Sequence, residues 1–234
     1  MARKKIQDVI LKQEDLDAKY GNTKVGAIKL FPEINDLIGK GKFIPHRQSY
    51  VTYLKGTRSI TSTLNLAIHS NMEYLPRCKV ELDETFLQPI NYVVLKYRDS
   101  ENSGWKYFCT KRIGGGEARL TGLYAIGIGG HVDGGEDLVD SMYRELAEEV
   151  GLVQDDITYY ERLGYIYDQS TAVGRVHLGL VVVMKLQNNK ITVKEKDKLT
   201  GEWVTLDTLR GYAKEGKLES WSEIILDKLE YEGF

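Results

Sequence analysis

Gly130-His-Val-Asp-Gly-Gly-Glu136-Asp-Leu-Val-Asp-Ser-Met-Tyr-Arg144-Glu145-Leu-Ala-Glu148-Glu149-Val-Gly151-Leu152 decides how this chain reads. Asp137 stands where a helix N-cap belongs, Leu138, Met142, Leu146 and Val150 recur at helical spacing, and Gly151 supplies the left-handed residue that ends many helices. At about 3.6 residues per turn, Glu145, Glu148 and Glu149 fall on one edge of that helix, where unneutralised carboxylates would repel one another. Hard oxygen donors gathered in this way suit Mg²⁺ or Mn²⁺, ions held by a few carboxylates together with water and substrate phosphate oxygens. Gly130 and the Gly134-Gly135 pair make a loop that can bring backbone groups close to a ligand, and the opposite charges of Glu136 and Arg144 could pair to hold that loop on the helix. Charge runs are commonly solvated faces. Nine specified positions at fixed spacing weigh against that reading here.

The segment resembles the Nudix box, Gly-x5-Glu-x7-Arg-Glu-U-x-Glu-Glu-x-Gly-U with U a bulky aliphatic residue, and matches it without departure. The resemblance implies that Glu145, Glu148 and Glu149 bind Mg²⁺ or Mn²⁺ and act as the catalytic set. It also implies that the Gly130 carbonyl is an additional ligand and that Glu136 and Arg144 form the loop-to-helix ion pair. Family enzymes hydrolyse nucleoside diphosphates linked to another moiety, on an α/β/α sandwich. The resemblance therefore implies a metal-dependent pyrophosphatase of an α/β (α+β) class, acting on a small nucleotide-type molecule through activated water. Nucleic acid is expected only as a capped or terminal-phosphate substrate.

The flanking sequence is read independently. Ile90 to Tyr97 and Trp105 to Arg112 form a hairpin pattern across a polar turn; Tyr124 to Ile128, Ile157 to Tyr167, Arg175 to Leu186 and Glu202-Trp203-Val204 read as further strands, and Glu219 to Leu229 as a terminal helix. Strands on both sides of one helix, closed by another, make a layered domain. Its expected limits are 85–234, with residues 1–84 an extension docked on the core or on a second copy in a homodimer. The extension is basic: residues 1 to 60 hold twelve Lys or Arg against six Asp or Glu, a balance of +6 that leaves −8 for the rest of a chain whose total is −2. The charges are interleaved, so the simpler reading is a solubilising surface. Apolar residues such as Val25, Ile28, Phe31, Ile34, Leu37 and Ile38, without a Pro, Gly or Ser tether, argue for docking.

A softer resemblance, to MutT-like bacterial and phage proteins described as predicted phosphoesterases, runs through Arg77 to Glu81, Gln88-Pro-Ile90, Gly116 to Leu120 and Gly129-Gly-His131. It implies that Arg112, Glu117 and Arg119 face substrate, because guanidinium makes forked bonds to phosphate. His131, directly after Gly130, is read either as a phosphate contact or as a structural bond to backbone. The general base is open between Glu145 on the helix and Glu195, Asp197 or Glu202 in a later loop. His177, in an apolar strand, reads as a core histidine. Trp203, Tyr159, Tyr160, Tyr165 and Tyr167 read as core aromatics before nucleobase platforms. Cys78 and Cys109 have no metal-ligand spacing and read as buried thiols of a reducing cytoplasm. No apolar run is of membrane-spanning length, and no secretion signal is visible. A non-catalytic Nudix regulatory module is the alternative. An isopentenyl-diphosphate isomerase-like enzyme is disfavoured because Cys109 lacks its context and the box is unmodified.

Overall fold

The computed structural model describes residues 12–30, 42–45, 50–53, 56–59, 64, 68–114 and 120–231. Phe31, Ile34, Leu37 and Ile38, and the substrate candidates Glu117 and Arg119, lie outside them. The N-terminal part comprises helix α1 (Gln13–Tyr20), strands β1 (Lys24–Lys29) and β2 (Phe43–Pro45), the hairpin β3 (Tyr50–Tyr53) and β4 (Gly56–Ser59), β5 (Met72–Pro76) and the short helix α2 (Arg77–Val80). Then follow β6 (Phe86–Tyr97), β7 (Lys106–Arg112), β8 (Tyr124–Ala125), β9 (Gly127–Ile128), helix α3 (Leu138–Val150), β10 (Ile157–Ile166), α4 (Ala172–Arg175), β11 (His177–Leu186), β12 (Leu199–Thr205), α5 (Leu206–Lys214), α6 (Ser220–Leu226) and α7 (Lys228–Tyr231).

β6 is the spine. It pairs in parallel with β11 from Gln88, opposite His177, to Lys96, opposite Lys185. Its other edge is divided: β1 takes Phe86 and Leu87, His131 bridges Ile90, β9 takes Val93 and Val94, and β7 takes Lys96 and Tyr97. A strand hydrogen-bonded on both edges and covered on both faces must be apolar on both, which explains the run Tyr92-Val-Val-Leu95. Alternation then sorts the two cores. Val93 and Leu95 join Phe108, Ile128, Val182 and Met184 under the apolar stripe of α3, Met142, Leu146 and Val150. Tyr92 and Val94 pack on the other face with Val181, Val183, Leu209, Ile225 and Leu226, beneath α5 and α6. Helix, sheet and helix make the expected α/β sandwich. Leu146 is fully buried, a contribution of roughly 2–3 kcal/mol before entropy is counted.

Four local readings of the sequence need correction. Tyr124 to Ile128 is two strands: the chain leaves β7 at Ala125 and joins β6 at Gly127, while the intervening Ile126 N–H donates to Ser222 Oγ at 3.1 Å. Arg175 belongs to α4, not to β11, because the Thr171 hydroxyl caps Gly174 N–H at 3.0 Å and starts a turn there. The terminal helix breaks at Asp227 into α6 and α7, and its first residue, Glu219, is the N-cap. α5, unforeseen, starts at Thr205, whose hydroxyl caps Thr208 N–H.

β1, β2 and β5, all before residue 85, are hydrogen-bonded into the same sheet, whereas β3 and β4 form a separate hairpin. β1 pairs with β5 as well as β6, and β2 pairs with β10. Val25, Ala27 and Ile28 are fully buried, the last with Leu87, Tyr165 and Leu178. β1 also grips the glycine loop: Gly26 N–H donates to Val132 O at 2.8 Å, Gly134 N–H donates to Lys24 O at 3.0 Å, and Tyr74 OH of β5 donates to Glu136 O. A chain starting at Glu84 should therefore melt at least about 10 °C lower than the full chain or precipitate, since it loses two or more fully buried aliphatic side chains. A thermal melt by circular dichroism reads this; equal melting temperatures would overturn it.

Candidate functional site

The site is built on a loop pressed against β6. Gly129 has φ +142°, and a Cβ there would lie 2.1 Å from Asn91 O, so only glycine fits. Asn91 N–H donates to Gly130 O at 3.3 Å, and Asn91 Nδ2 donates to Leu138 O at 3.0 Å and Ser141 Oγ at 2.8 Å. One buried asparagine thus ties the loop and the start of α3 to the same strand. The Asp137 carboxylate accepts from Val139 N–H and Asp140 N–H, at 2.7 and 2.8 Å, which caps α3 and holds that carboxyl below its usual range. Gly151, at φ +66°, closes the other end.

Arg144 is the hub of the charged edge. Its Nε donates to Glu136 Oε1 at 2.8 Å, its Nη1 to Glu145 Oε1 at 2.9 Å and to Glu148 Oε2 at 3.1 Å, and its Nη2 to the His131 carbonyl at 3.0 Å. Glu136 in turn accepts from Asp133 N–H at 3.2 Å. The structure thus brings Glu136, Arg144, Glu145 and Glu148 together around the loop. Glu145 presses on Gly130, where a Cβ would meet its carboxylate at 2.4 Å. The Glu145 carboxylate and the loop backbone are in direct contact because residue 130 has no side chain.

Burial acts on the carboxylates unequally. Glu148 is exposed. Glu145 is pushed up by burial, which outweighs the opposing pull of Arg144. Glu149 is pushed up to about 8, first by burial and then by the negative charges of Glu145 and Glu195; Arg112 and Lys198 oppose the shift. Glu149 opens on a pocket of about 440 Å³ lined by Thr110, Arg112, Leu123, Gly129 and Glu219. Carboxylates raised together are what a cation site looks like to the carboxylates alone.

Arg112 lies in this pocket, and Glu195 acts on Glu149 through its charge while paired with Lys198. Asp197 is exposed. Glu202 lies in β12 instead of a loop, opposite Cys109, and accepts from Tyr212 OH at 3.3 Å. His131 lies on the other side of the loop backbone, its Nε2 3.1 Å from His177 Nε2; burial, then His177 and two arginines, holds it well below the ordinary histidine value. His177 is buried, with Nδ1 bonded to Val173 O at 2.7 Å. Trp203 packs edge-on to Phe108 and donates to Asn189 O; Tyr165 and Tyr167 are buried, Tyr159 and Tyr160 exposed. Cys78 and Cys109 are free and buried. Asn91, Lys198 and Glu219 escaped the sequence reading, because each reaches the site only through the fold.

Comparison with known proteins rests on the same region. The NUDIX domain family model matches residues 91–229. This chain belongs to the Nudix hydrolase family. Protein YmaB of Bacillus subtilis (strain 168) is 34% identical over 163 residues, which is 66% of this chain and 76% of YmaB. The crystal structure of Tm1382, assigned to the Nudix hydrolases, superposes with a TM-score of 0.64 at 26% identity, covering 88% of this chain and 97% of Tm1382. That overlap extends beyond the residues the family model matches. Membership implies hydrolysis of a pyrophosphate linkage in nucleoside diphosphate derivatives, in a family that generally uses divalent metals. Among the described residues of this Nudix hydrolase, no helix is long and apolar enough to cross a membrane.

Two measurements test the electrostatics. Arg144→Lys leaves one point charge where a fork served four acceptors, and should cost about 2–3 kcal/mol of stability in urea unfolding; a loss under about 0.5 kcal/mol would contradict the hub role. Glu219, capping α6 and bonded by Tyr92 OH, is pushed up by burial despite those bonds. An acid raised on folding contributes stability that is present below its unfolded pKa of about 4.3 and lost as pH rises through the folded value. The stability of the native chain relative to Glu219→Gln should therefore be lower at pH 8 than at pH 5.

Proposed function

We propose that this Nudix hydrolase cleaves the pyrophosphate of a small nucleotide derivative with Mg²⁺ or Mn²⁺ held by Glu145, Glu148, Glu149 and the Gly130 carbonyl. The observation that carries the reading is the pocket at Glu149, where an acid raised first by burial and then by two neighbouring carboxylates lies with Arg112. An all-oxygen donor set centred on one helix edge suits a hard divalent cation. When bound, the cation supplies charge neutralisation for the leaving phosphate and acidity for the attacking water.

The chain's own residues do the rest. Arg112 and Lys198 give the pocket positive charge beside the carboxylates, where a diphosphate's outer oxygens need it. Arg144 keeps Glu145 and Glu148 from splaying and fixes the loop through the His131 carbonyl. Among the later acids, Glu195 is the one whose charge acts on Glu149, and we assign it as the group that takes the proton from water. Two free, buried cysteines support a reducing, cytoplasmic setting.

The test is a screen with Mg²⁺ and Mn²⁺ against dinucleotide, nucleotide-sugar, nucleoside triphosphate and capped-RNA substrates, followed by variants on the best substrate. Glu149→Gln should lower kcat by at least about 10³-fold with the fold intact, whereas Glu195→Gln should lower it by about 10²–10⁴-fold and alter the acidic limb of the pH profile. A folded native chain that cleaves no anhydride with either metal would overturn the reading. A Glu149→Gln enzyme as fast as the native one would overturn the site.

A further inference from the structure

At the glycine loop, sharing no residue with the lining of the Glu149 pocket, Glu81, His131 and His177 bring one carboxylate oxygen and two imidazole nitrogens within 4.8 Å of one another. His131 Nε2 lies 3.1 Å from His177 Nε2 and 3.9 Å from Glu81 Oε1. All three side chains are largely buried, from three segments distant in sequence: the residue after α2, the loop before α3 and the first residue of β11. Donors about 2.0–2.2 Å from a tetrahedral ion sit roughly 3.4 Å apart, so these positions need adjust by less than about an ångström.

The surroundings orient the donors as ligands are oriented. His177 Nδ1 lies 2.7 Å from Val173 O, and a carbonyl only accepts, so that nitrogen carries the proton and the Nε2 lone pair points toward His131. Arg77 Nε donates to Glu81 Oε1 at 2.8 Å, with the guanidinium 4.0 Å over the Tyr20 ring, so the carboxylate is held in turn. Gln88 stands opposite His177 in the β6–β11 register and is fully buried. Its Nε2 donates to Val80 O at 3.4 Å, one residue before Glu81, and its Oε1 has no partner among the described residues. A hydrogen bond from His131 Nε2–H to His177 Nε2 leaves Gln88 Oε1 orphaned and the Glu81 carboxylate, bonded to Arg77, 3.9 Å from the imidazole.

We propose that Glu81, His131 and His177 form a second metal site, for Zn²⁺ or a similar nitrogen-preferring ion, with a water as fourth ligand that donates to Gln88 Oε1. Two imidazoles and one carboxylate select such an ion over Mg²⁺, which keeps to oxygen donors. The site is separate in chemistry and place from the carboxylate edge of α3. Its bond to His131 anchors the residue next to Gly130, and its bond to Glu81 ties the N-terminal segment to the loop.

The full-length chain, stripped with a chelator and reloaded with Zn²⁺ or Co²⁺ in excess Mg²⁺, should retain one equivalent by elemental analysis. With Co²⁺ it should show the intense visible bands of a four-coordinate centre, and Zn²⁺ at about 100 times its Kd should raise the melting temperature by roughly 5–10 °C. His177→Gln and, as a milder change, Glu81→Gln should cut the retained metal at least tenfold, with circular dichroism confirming the fold. Glu148→Gln and Glu149→Gln should leave it at one equivalent. Zinc retained equally by the native chain and a folded His177→Gln chain, or lost in the Glu149→Gln chain instead, would overturn the proposal; so would a native chain that holds no equivalent.

Discussion

The arrangement of the charged edge depends on one guanidinium. Glu136, Glu145 and Glu148 each place an oxygen within 3.1 Å of an Arg144 nitrogen. Without that cation two half-buried acids, Glu136 and Glu145, and the exposed Glu148 would repel one another, most strongly where burial lowers the local dielectric. A planar fork satisfies them simultaneously and has a donor left for the His131 carbonyl. Neutralising the acids and positioning the loop are therefore one act. Glu149, which Arg144 does not touch among the bonds described, is pushed up to about 8, first by burial.

The second constraint is steric and lies in β6. Its edge opposite β11 is hydrogen-bonded in succession by β1, the glycine loop, β9 and β7, so the loop is effectively one more short strand of the sheet. A loop held that tightly has no room for side chains toward the strand, which is why Gly129 is obligatory beside Asn91 O. β1 closes the loop from its other flank through Gly26 and Lys24. The glycine loop is thus positioned by residues from both ends of the first hundred positions, and its stiffness comes from backbone pairing more than from its own sequence.

That difference sets what the sequence could disclose. α3 was legible because cap, stripe and closing glycine are all local, and the glutamate edge follows from 3.6 residues per turn alone. The buried strands β6 and β11 were legible from uninterrupted apolar runs. α5 also carries a local signal, Leu206, Leu209 and Ala213 behind a Thr205 cap, directly after the strand residues Glu202 to Val204. Other features had no local signal. Asn91 is an ordinary polar residue until β6 sets its amide against the start of α3, and Glu219 is a helix cap until α6 swings it to Tyr92. Glu202, grouped with loop acids, proved to be a strand residue because β12 pairs through it with β7.

His131 shows most clearly how position in the fold overrides position in the sequence. Adjacent to Gly130 in a metal-binding motif, it invited a role toward substrate; yet successive residues on an extended chain point to opposite sides. The loop is extended enough at this point to bridge β6 through His131. Glu145 therefore meets Gly130 on one side of the backbone, and the imidazole turns to His177 and Glu81 on the other. The consequence is a separation of donor types by a single strand of backbone: oxygens only toward Glu149, nitrogens with one oxygen toward Glu81. Hard and borderline cations distinguish such sets without any difference in cavity size. The same two-sidedness gives β1, paired in the sheet, and α2, packed on it through Val80, their place: they wall the nitrogen-bearing side of the loop.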